Sequence, residues 1–241
     1  MSALYGRILL KLSGEALAGD RGYGFDPATL DAVAQAVVEA SRMGVQIGIV
    51  IGGGNIFRGQ DSAVASDRVS ADQMGMLATL INSLALRDTL GRLGAECRVM
   101  SSFAVPSMVE PFNAMDARRY LGQGQTVIFG GGTGCPYFTT DTAAALRALE
   151  IQAQALVKAT KVNGIYDRDP VLHPDAVFYP EIDYDQVLNM RLKIMDLTAT
   201  SLCRDSGLEV RVINIRTPGN LAGMLAGEKI GSVVTARRDR V

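Results

Sequence analysis

The chain is predicted to be an α/β protein with a mostly parallel sheet covered by helices on both faces. Three observations predict this. Apolar runs of strand length alternate with stretches of helical periodicity up to about Thr160, the pattern of a sheet buried on both sides. Two of the apolar runs break directly into glycine clusters, Gly52-Gly-Gly54 and Gly130-Gly-Gly-Thr-Gly134, and open parallel sheets bind ligands beyond their strand ends. About half of the 241 residues are hydrophobic, with 26 Gly and no Trp, which suits one large or two small domains with a substantial core.

Each element has a local cause. Residues 7–12 read as a strand, followed by Ser13-Gly-Glu-Ala16 as a turn. Asp26-Pro27 opens a helix, because Asp caps and Pro suits the first helical position; the helix runs to Met43 and stops at Gly44. Residues 45–51 form the central strand, which breaks into Gly52-Gly-Gly-Asn-Ile-Phe-Arg-Gly59. Lacking Cβ atoms, Gly52, Gly53 and Gly54 are expected to take φ > 0 and lie flat against a ligand. Their N–H groups would then face phosphate oxygens, with Arg58 adding a bidentate contact. A second such cluster suggests a site for two phosphorylated ligands.

After a polar loop, Ser70-Ala-Asp-Gln73 has capping-box spacing and starts a helix to about Arg92. Met74, Leu77, Ile81, Leu84 and Ala85 recur on it at helical spacing and are assigned to the core. Strands at 96–100, 126–129 and 155–159 alternate with helices at 113–121 and from Thr139 to Glu150. Beyond Thr160, Asn163-Gly164 and Asp169-Pro170 signal turns in a loop-rich stretch. Short helices at 184–189 and 196–205, a strand at 210–215, a helical turn at 219–226 and a closing strand at 231–235 complete the reading. No repeat or linker divides the chain, so residues 1–241 are assigned to a single domain with approximate lobes 1–159 and 160–241.

Composition excludes several classes. A net charge of −1 gives no electrostatic footing for nucleic acid or a membrane surface, and Arg237-Arg238-Asp239-Arg240 reads as a frayed terminus. Cys97, Cys135 and Cys203 are odd in number and widely spaced, so neither a disulfide framework nor a metal site is expected, and reduced thiols in a cytoplasm fit best. No basic-then-apolar leader follows Met1 and no apolar run approaches ~18 residues. His173 lies in a proline-rich loop and reads as a surface residue, which removes histidine-based nucleophilic and metal chemistry.

Neither G-x-x-x-x-G-K-[ST] nor G-x-G-x-x-G is present. Lys11 instead interrupts the apolar strand just before Ser13-Gly14, and a lysine there needs an anionic partner or a route to water. An edge-strand lysine in solvent is one reading. Beside two glycine clusters, phosphate binding is the better one.

Here the residues reach a known family. Lys11-Leu-Ser-Gly-Glu-Ala-Leu17, Val50-Ile-Gly-Gly-Gly-Asn-Ile-Phe-Arg-Gly59, Asp72-Gln-Met-Gly-Met-Leu-Ala78, Gly132-Thr-Gly-Cys-Pro-Tyr-Phe-Thr-Thr-Asp141 and Lys158-Ala-Thr-Lys-Val-Asn-Gly-Ile-Tyr-Asp-Arg-Asp-Pro170 resemble the bacterial UMP kinases of the amino acid kinase superfamily. The match runs in order over nearly the whole chain, ending at Gly227-Glu-Lys-Ile-Gly231. It implies a three-layer α/β/α sandwich with about eight strands in the central sheet, and transfer of the ATP γ-phosphoryl to UMP, giving UDP for pyrimidine nucleotide synthesis.

Carried over position by position, Lys11, Leu12, Ser13, Gly14, Gly54 and Arg58 match the ATP phosphate site, and Thr160, Tyr166 and Asp169 the adenosine side. Gly53, Asp72, Thr133, Gly134, Cys135, Pro136, Tyr137, Phe138, Thr139 and Thr140 match the UMP site. Lys11, Arg58, Asp141 and Asp196 match the catalytic centre. Gly19, Asp20, Arg21, Gly22, Tyr23 and Gly24 match a region associated with GTP activation. The resemblance also implies Mg²⁺ bound with ATP, UTP inhibition and a homohexamer built from dimers.

Physical chemistry agrees with such a reaction. A phosphate monoester has a second pKa near 6, so UMP needs no general base and the difficulty is bringing two polyanions together. Lys11, Arg58, Mg²⁺ and the helix N-terminus near Thr139 can offset that repulsion. Other roles stay open for several residues. Asp141 can place Mg²⁺ or Lys11 or simply sit as an acid in a first turn; Asp72 can accept from the ribose or stabilise its helix; Asp196 can cap the helix behind it; Tyr166 can stack on adenine or pack beside a turn. Cys135 stands where relatives commonly have Asn, and a thiol is a poorer hydrogen-bond partner; Asn163 replaces the usual Asp, and both suit a turn. Phosphorylation of a carboxylate or carbamate, and a non-catalytic nucleotide sensor, are the competing readings. The run from Thr133 to Asp141 argues against the first, and the joint presence of Lys11, Arg58, Asp141 and Asp196 against the second.

Overall fold

In the computed structural model, which describes residues 3–58 and 67–236, nine strands form one sheet. In chain order the strands are β1 (Arg7–Leu12), β2 (Gln46–Ile51), β3 (Cys97–Ser101), β4 (Glu110–Pro111), β5 (Thr126–Gly130), β6 (Ala155–Thr160), β7 (Ile165–Tyr166), β8 (Phe178–Tyr179), β9 (Glu181–Asp183), β10 (Glu209–Asn214) and β11 (Ser232–Thr235). The sheet order is β4-β3-β5-β2-β1-β6-β10-β11-β9, with β7 and β8 paired apart from it. Within the large sheet only the β10–β11 pairing is antiparallel. β6 pairs with β10, so the sheet runs unbroken across residue 160.

The helices are α1 (Gly14–Leu17), α2 (Pro27–Arg42), α3 (Arg68–Arg92), α4 (Ala114–Gly122), α5 (Thr140–Glu150), α6 (Tyr184–Asn189), α7 (Leu197–Asp205) and α8 (Asn220–Leu225). They cover both faces, giving the expected three layers. Side chains alternate across a strand, so Ile8, Leu10 and Leu12 pack toward α2, α3 and α8 with Ile47, Ile49 and Ile51. Leu9, Val50, Val127 and Leu156 face the alanine-rich side of α5 with α4, α6 and α7. The caps of α2, α4, α5 and α7 are those expected: Asp26, Asn113, Thr139 and Asp196 each accept a first-turn N–H.

Five expectations are corrected. The sheet has nine strands instead of about eight, because the edges β4 and β9, of 2 and 3 residues, are too short to carry a period. Ser13-Gly-Glu-Ala16 is a capped single-turn helix rather than a plain turn, since the Ser13 side chain accepts from Ala16 N. α3 starts at Arg68 with Asp67 as its cap, the carboxylate taking both the amide and the hydroxyl of Ser70; a carboxylate upstream outcompetes the serine. Gly52, Gly53 and Gly54 have no positive φ, whereas Gly131, Gly132 and Gly134 do, at 82°, 60° and 82°. The first cluster is glycine for closeness: a Cβ on Gly53 would meet Gly75 O at 2.7 Å and Ala78 Cβ at 2.8 Å.

That closeness explains the fifth correction. Only part of the apolar stripe of α3 faces the core: Leu84 and Ala85 pack against it, whereas Leu77 is 52% and Ile81 48% exposed, while Ala78, Thr79, Asn82, Ser83 and Leu86 are buried. A helix pressed against glycine loops needs small side chains and ones that can bond to loop backbone. The loop containing Gly59 and the basic stretch at 237–240 lie outside the described residues. No helix among the described residues is long and apolar enough to cross a membrane, and His173 is exposed.

Candidate active site

The site begins with a coincidence of register. Lys11 on β1 lies directly opposite Lys158 on β6, and alternation points both toward the α5 side of the sheet. Two like charges side by side on adjacent strands repel, and burial raises the cost. Asp141, in the first turn of α5, resolves it: Lys11 Nζ is 2.8 Å from Oδ1 and Lys158 Nζ 3.0 Å from Oδ2. Lys158 also donates to the carbonyl of Ile194. Burial would push the Asp141 carboxyl up, but the two ammonium groups outweigh it and hold it below the ordinary carboxylate range. Lys158 is pulled below the usual lysine value by its own burial and by Lys11, against the attraction of Asp141.

Asp196 braces this cluster from α7. It caps that helix through Ala199 N at 2.8 Å and accepts from the hydroxyls of Thr139 and Thr142 at the start of α5. The N-terminus that presents Asp141 is therefore locked to a second helix. Of the two readings of Asp196, the cap is built.

Two clefts flank the lysine pair at the C-terminal ends of the parallel strands. One, of about 590 Å³, lies between the start of α3 and the second glycine cluster and is walled by Asp72, Thr79, Thr133, Phe138, Thr139 and Thr140. The other, of about 560 Å³, is walled by Lys158, Thr160, Tyr166 and Asp169 with Arg191 and Lys193. Each is of a size that holds a nucleotide-sized ligand. Thr140 borders the first cleft, Lys158 borders the second, and Asp141 joins them.

The first glycine loop packs against the start of α1. Gly14 fits so tightly that a Cβ there would meet Gly52 O at 2.6 Å and Gly54 N at 2.7 Å. Leu12, by contrast, is fully buried; its side chain belongs to the core and its carbonyl already accepts from Gly52 N. Arg58 is paired with Glu15 of α1. Asn55 and Asn82, both fully buried, exchange amide bonds at 2.7 and 3.0 Å while Asn82 holds Gly52 O and Asn55 holds Gly24 O. Thr79 ties the second cluster to the same helix by accepting from Gly131 N at 2.8 Å.

The run from Thr133 to Thr140 folds over the first cleft. Thr133 and Cys135 bond to each other, and Pro136 is followed by Tyr137, whose φ is 71°. Tyr137 N donates to Asp72 at 2.7 Å, so Asp72 is attached to the loop as well as to its own helix. On the other side Thr160 caps the 160–162 turn, Tyr166 packs at 5.2 Å against Phe178, and Asp169 accepts from Val171 N. Gly19, Asp20 and Arg21 line a separate cleft of about 590 Å³ with Arg216, away from the lysine pair.

Sequence reasoning missed Lys158, Arg68, Asn55, Thr79 and Asn82 as site residues. Lys158 had a usable signal, a lysine interrupting an apolar strand just as Lys11 does. Arg68 had none beyond its spacing to Asp72, and the buried amides had only their polarity on elements assigned to the core.

The model of the amino acid kinase family matches residues 6–214. A uridylate kinase of Xanthomonas oryzae pv. oryzae is 52% identical over 97% of this chain and 98% of its own length, and one of Vibrio campbellii is 51% identical over 96% of each. The crystal structure of UMP kinase from Bacillus anthracis superposes with a TM-score of 0.93 at 38% identity, covering 97% of both chains. By its sheet, its strand-end lysines and these near full-length similarities, the chain belongs to the amino acid kinase family, among its uridylate kinases.

Proposed function

We propose that this protein transfers the γ-phosphoryl group of ATP to UMP, releasing ADP and UDP. The observation that carries the reading is the Lys11–Asp141–Lys158 cluster between two nucleotide-sized clefts at the C-terminal ends of the central parallel strands. UMP fits the cleft beneath α3 with Gly53, Asp72 and the run from Thr133 to Thr140; ATP fits the cleft beside Thr160, Tyr166 and Asp169, its phosphates reaching Ser13, Gly14, Gly54 and Arg58.

A phosphate oxygen of UMP attacks the γ-phosphorus, the bond to the β–γ bridging oxygen breaks, and that oxygen leaves on ADP. The acceptor dianion has no proton to lose, so charge placement governs the rate. Lys11 and Lys158 supply two cations at the junction, and the N–H groups at the start of α5 add to them. Asp141 keeps the ammonium groups charged and fixed, and Asp196 fixes Asp141. Arg58 must exchange its Glu15 partner for phosphate as the substrates enter. The outcome is sharpened by exclusion of water once both clefts are filled.

Magnesium fits as a companion of ATP. Among the described residues no three His, Cys, Asp or Glu side chains cluster as a metal cage, and Asp141 Oδ1 is the one buried carboxylate oxygen without an aligned hydrogen bond. That oxygen, through water, is the protein group best suited to an ion held mainly by phosphates. When bound, the ion neutralises phosphate charge.

The same reading includes a cytoplasmic enzyme of pyrimidine nucleotide synthesis, forming homohexamers, activated by GTP through Gly19 to Gly24 and inhibited by UTP. The exposed Leu77 and Ile81 on α3 support assembly. ADP release from MgATP is the direct test, run with UMP, CMP, deoxy-UMP, acetylglutamate and carbamate in parallel. Turnover on UMP alone, lost in Lys11→Ala, is expected; turnover on a carboxylate or carbamate alone would refute the reading.

A further inference from the structure

We propose that Arg68 is a positioning residue that sets ribose discrimination in the acceptor cleft by fixing the Asp72 carboxylate. The proposal rests on the UMP reading above. Arg68 is the first residue of α3 and Asp72 lies one turn on. A pair with this spacing on an open helix contributes little, but this one is not on an open face. The Asp72 side chain is 18% exposed, and Arg68 Nε reaches Oδ1 and Oδ2 at 2.8 Å each. Both residues wall the 590 Å³ cleft.

The second oxygen has a further duty. Oδ2 also accepts from Tyr137 N at 2.7 Å, across the mouth of the cleft. Tyr137 sits at a φ of 71°, a left-handed conformation disfavoured for a non-glycine residue. The bond from Asp72 helps to hold it there. The Arg68 guanidinium lies 5.5 Å from the Tyr137 ring centroid, so the same arginine touches both ends of the latch.

The division of labour between the oxygens gives the inference its content. Oδ2 is occupied by Arg68 and Tyr137. Among the described residues Oδ1 has Arg68 alone, which leaves lone-pair capacity for a ribose hydroxyl. With the one Nε–H shared between both oxygens, the carboxylate cannot turn about its terminal torsion without disturbing that shared bond and the Tyr137 contact. Without Arg68 it turns, the Tyr137 latch and the hydroxyl contact loosen together, and the preference for a ribose over a deoxyribose weakens. An arginine that bound the acceptor phosphate directly would weaken UMP and deoxy-UMP alike.

The experiment measures initial rates of the intact enzyme with UMP and with deoxy-UMP for wild type, Arg68→Gln, Arg68→Lys and Asp72→Asn, with the KM for ATP taken in each. Arg68→Gln should raise the UMP KM about tenfold with a smaller change in kcat, as expected for one charge-assisted contact. Its ratio of kcat/KM for UMP over deoxy-UMP should fall toward that of Asp72→Asn, with the ATP KM within about twofold of wild type. Arg68→Lys should recover part of the ratio, and serves as the arm if the glutamine variant misfolds. An unchanged ratio overturns the proposal alone. So does a fall in all parameters together with the melting temperature. A wild type that ignores UMP overturns the proposal and the function together, which keeps the two failures apart.

Discussion

Lys158 carries the sharpest test at the scale of one residue. Its charge is costly to the fold, being buried beside Lys11, and with it gone Asp141 still pairs with Lys11, so no buried charge is stranded. Lys158→Met should therefore leave the melting temperature unchanged or raised, while kcat falls about 100-fold, the loss typical of one preorganised electrostatic donor. Calorimetry and steady-state rates on the same sample separate the two; a parallel loss of stability and rate would mark the lysine as structural. Asp141 should behave oppositely. Asp141→Asn strands two buried ammonium groups and should cost about 3–5 kcal/mol. Because the folded Asp141 carboxyl lies below its ordinary range, the unfolded chain binds more protons there. The stabilisation is fully present above the ordinary carboxylate range and is lost as pH falls through it toward the folded value. Urea midpoints measured against pH should show that acid limb in wild type and a smaller one in Lys158→Met, where one of the two cations that lower the folded carboxyl is gone.

At the scale of elements, α3 organises the acceptor side through polar groups that a helix core rarely contains. Asn82→Leu leaves Gly52 O and Asn55 Oδ1 without their donor in a fully buried place, at about 1–3 kcal/mol for each stranded group. Urea unfolding should register that loss, and KM for both substrates should rise because Gly52 anchors the first glycine loop. A variant as stable as wild type would mean that water replaces the amide. This helix is also where the sequence was least legible. Its length and end were readable, since periodicity and Gly94 mark them, but its inward face was not. Leu77 and Ile81 look like core by hydrophobicity, and the true inward residues are chosen by the glycine loops they touch, contacts made by residues more than 20 positions away in the chain. The strands were legible because burial on both faces leaves unbroken apolar runs, in which Lys11 stood out. Lys158 stood out equally in its strand, yet its meaning depended on the β1–β6 register, which no local pattern encodes. The two glycine clusters were recognisable as the places where strands break into loops, while the reason for the first being glycine, close packing rather than positive φ, emerged only from the neighbouring helix.

For the whole molecule, the outward stripe of α3 is the feature a monomer leaves unexplained. Leu77 and Ile81 are about half exposed, with Val69 also open to solvent at 37%, on the helix whose opposite side carries Asn82 and Thr79 against both glycine loops. Apolar surface concentrated on one side of a long helix favours a partner, and a self-complementary contact between two copies would bury it about a two-fold axis. Assembly would then be coupled to the site, because any shift of α3 is transmitted through Asn82 to Gly52 and through Thr79 to Gly131. A double substitution, Leu77→Glu with Ile81→Glu, places like charges on that face without touching the buried side. It should dissociate the assembly to smaller species in sedimentation velocity, keep the far-ultraviolet circular dichroism of wild type, and raise the KM for UMP several-fold, as loosened preorganisation predicts. If the variant sediments as wild type does, the α3 face is not a contact between copies of the chain. If it dissociates with its kinetics intact, the helix carries assembly alone and the acceptor cleft is complete within one chain.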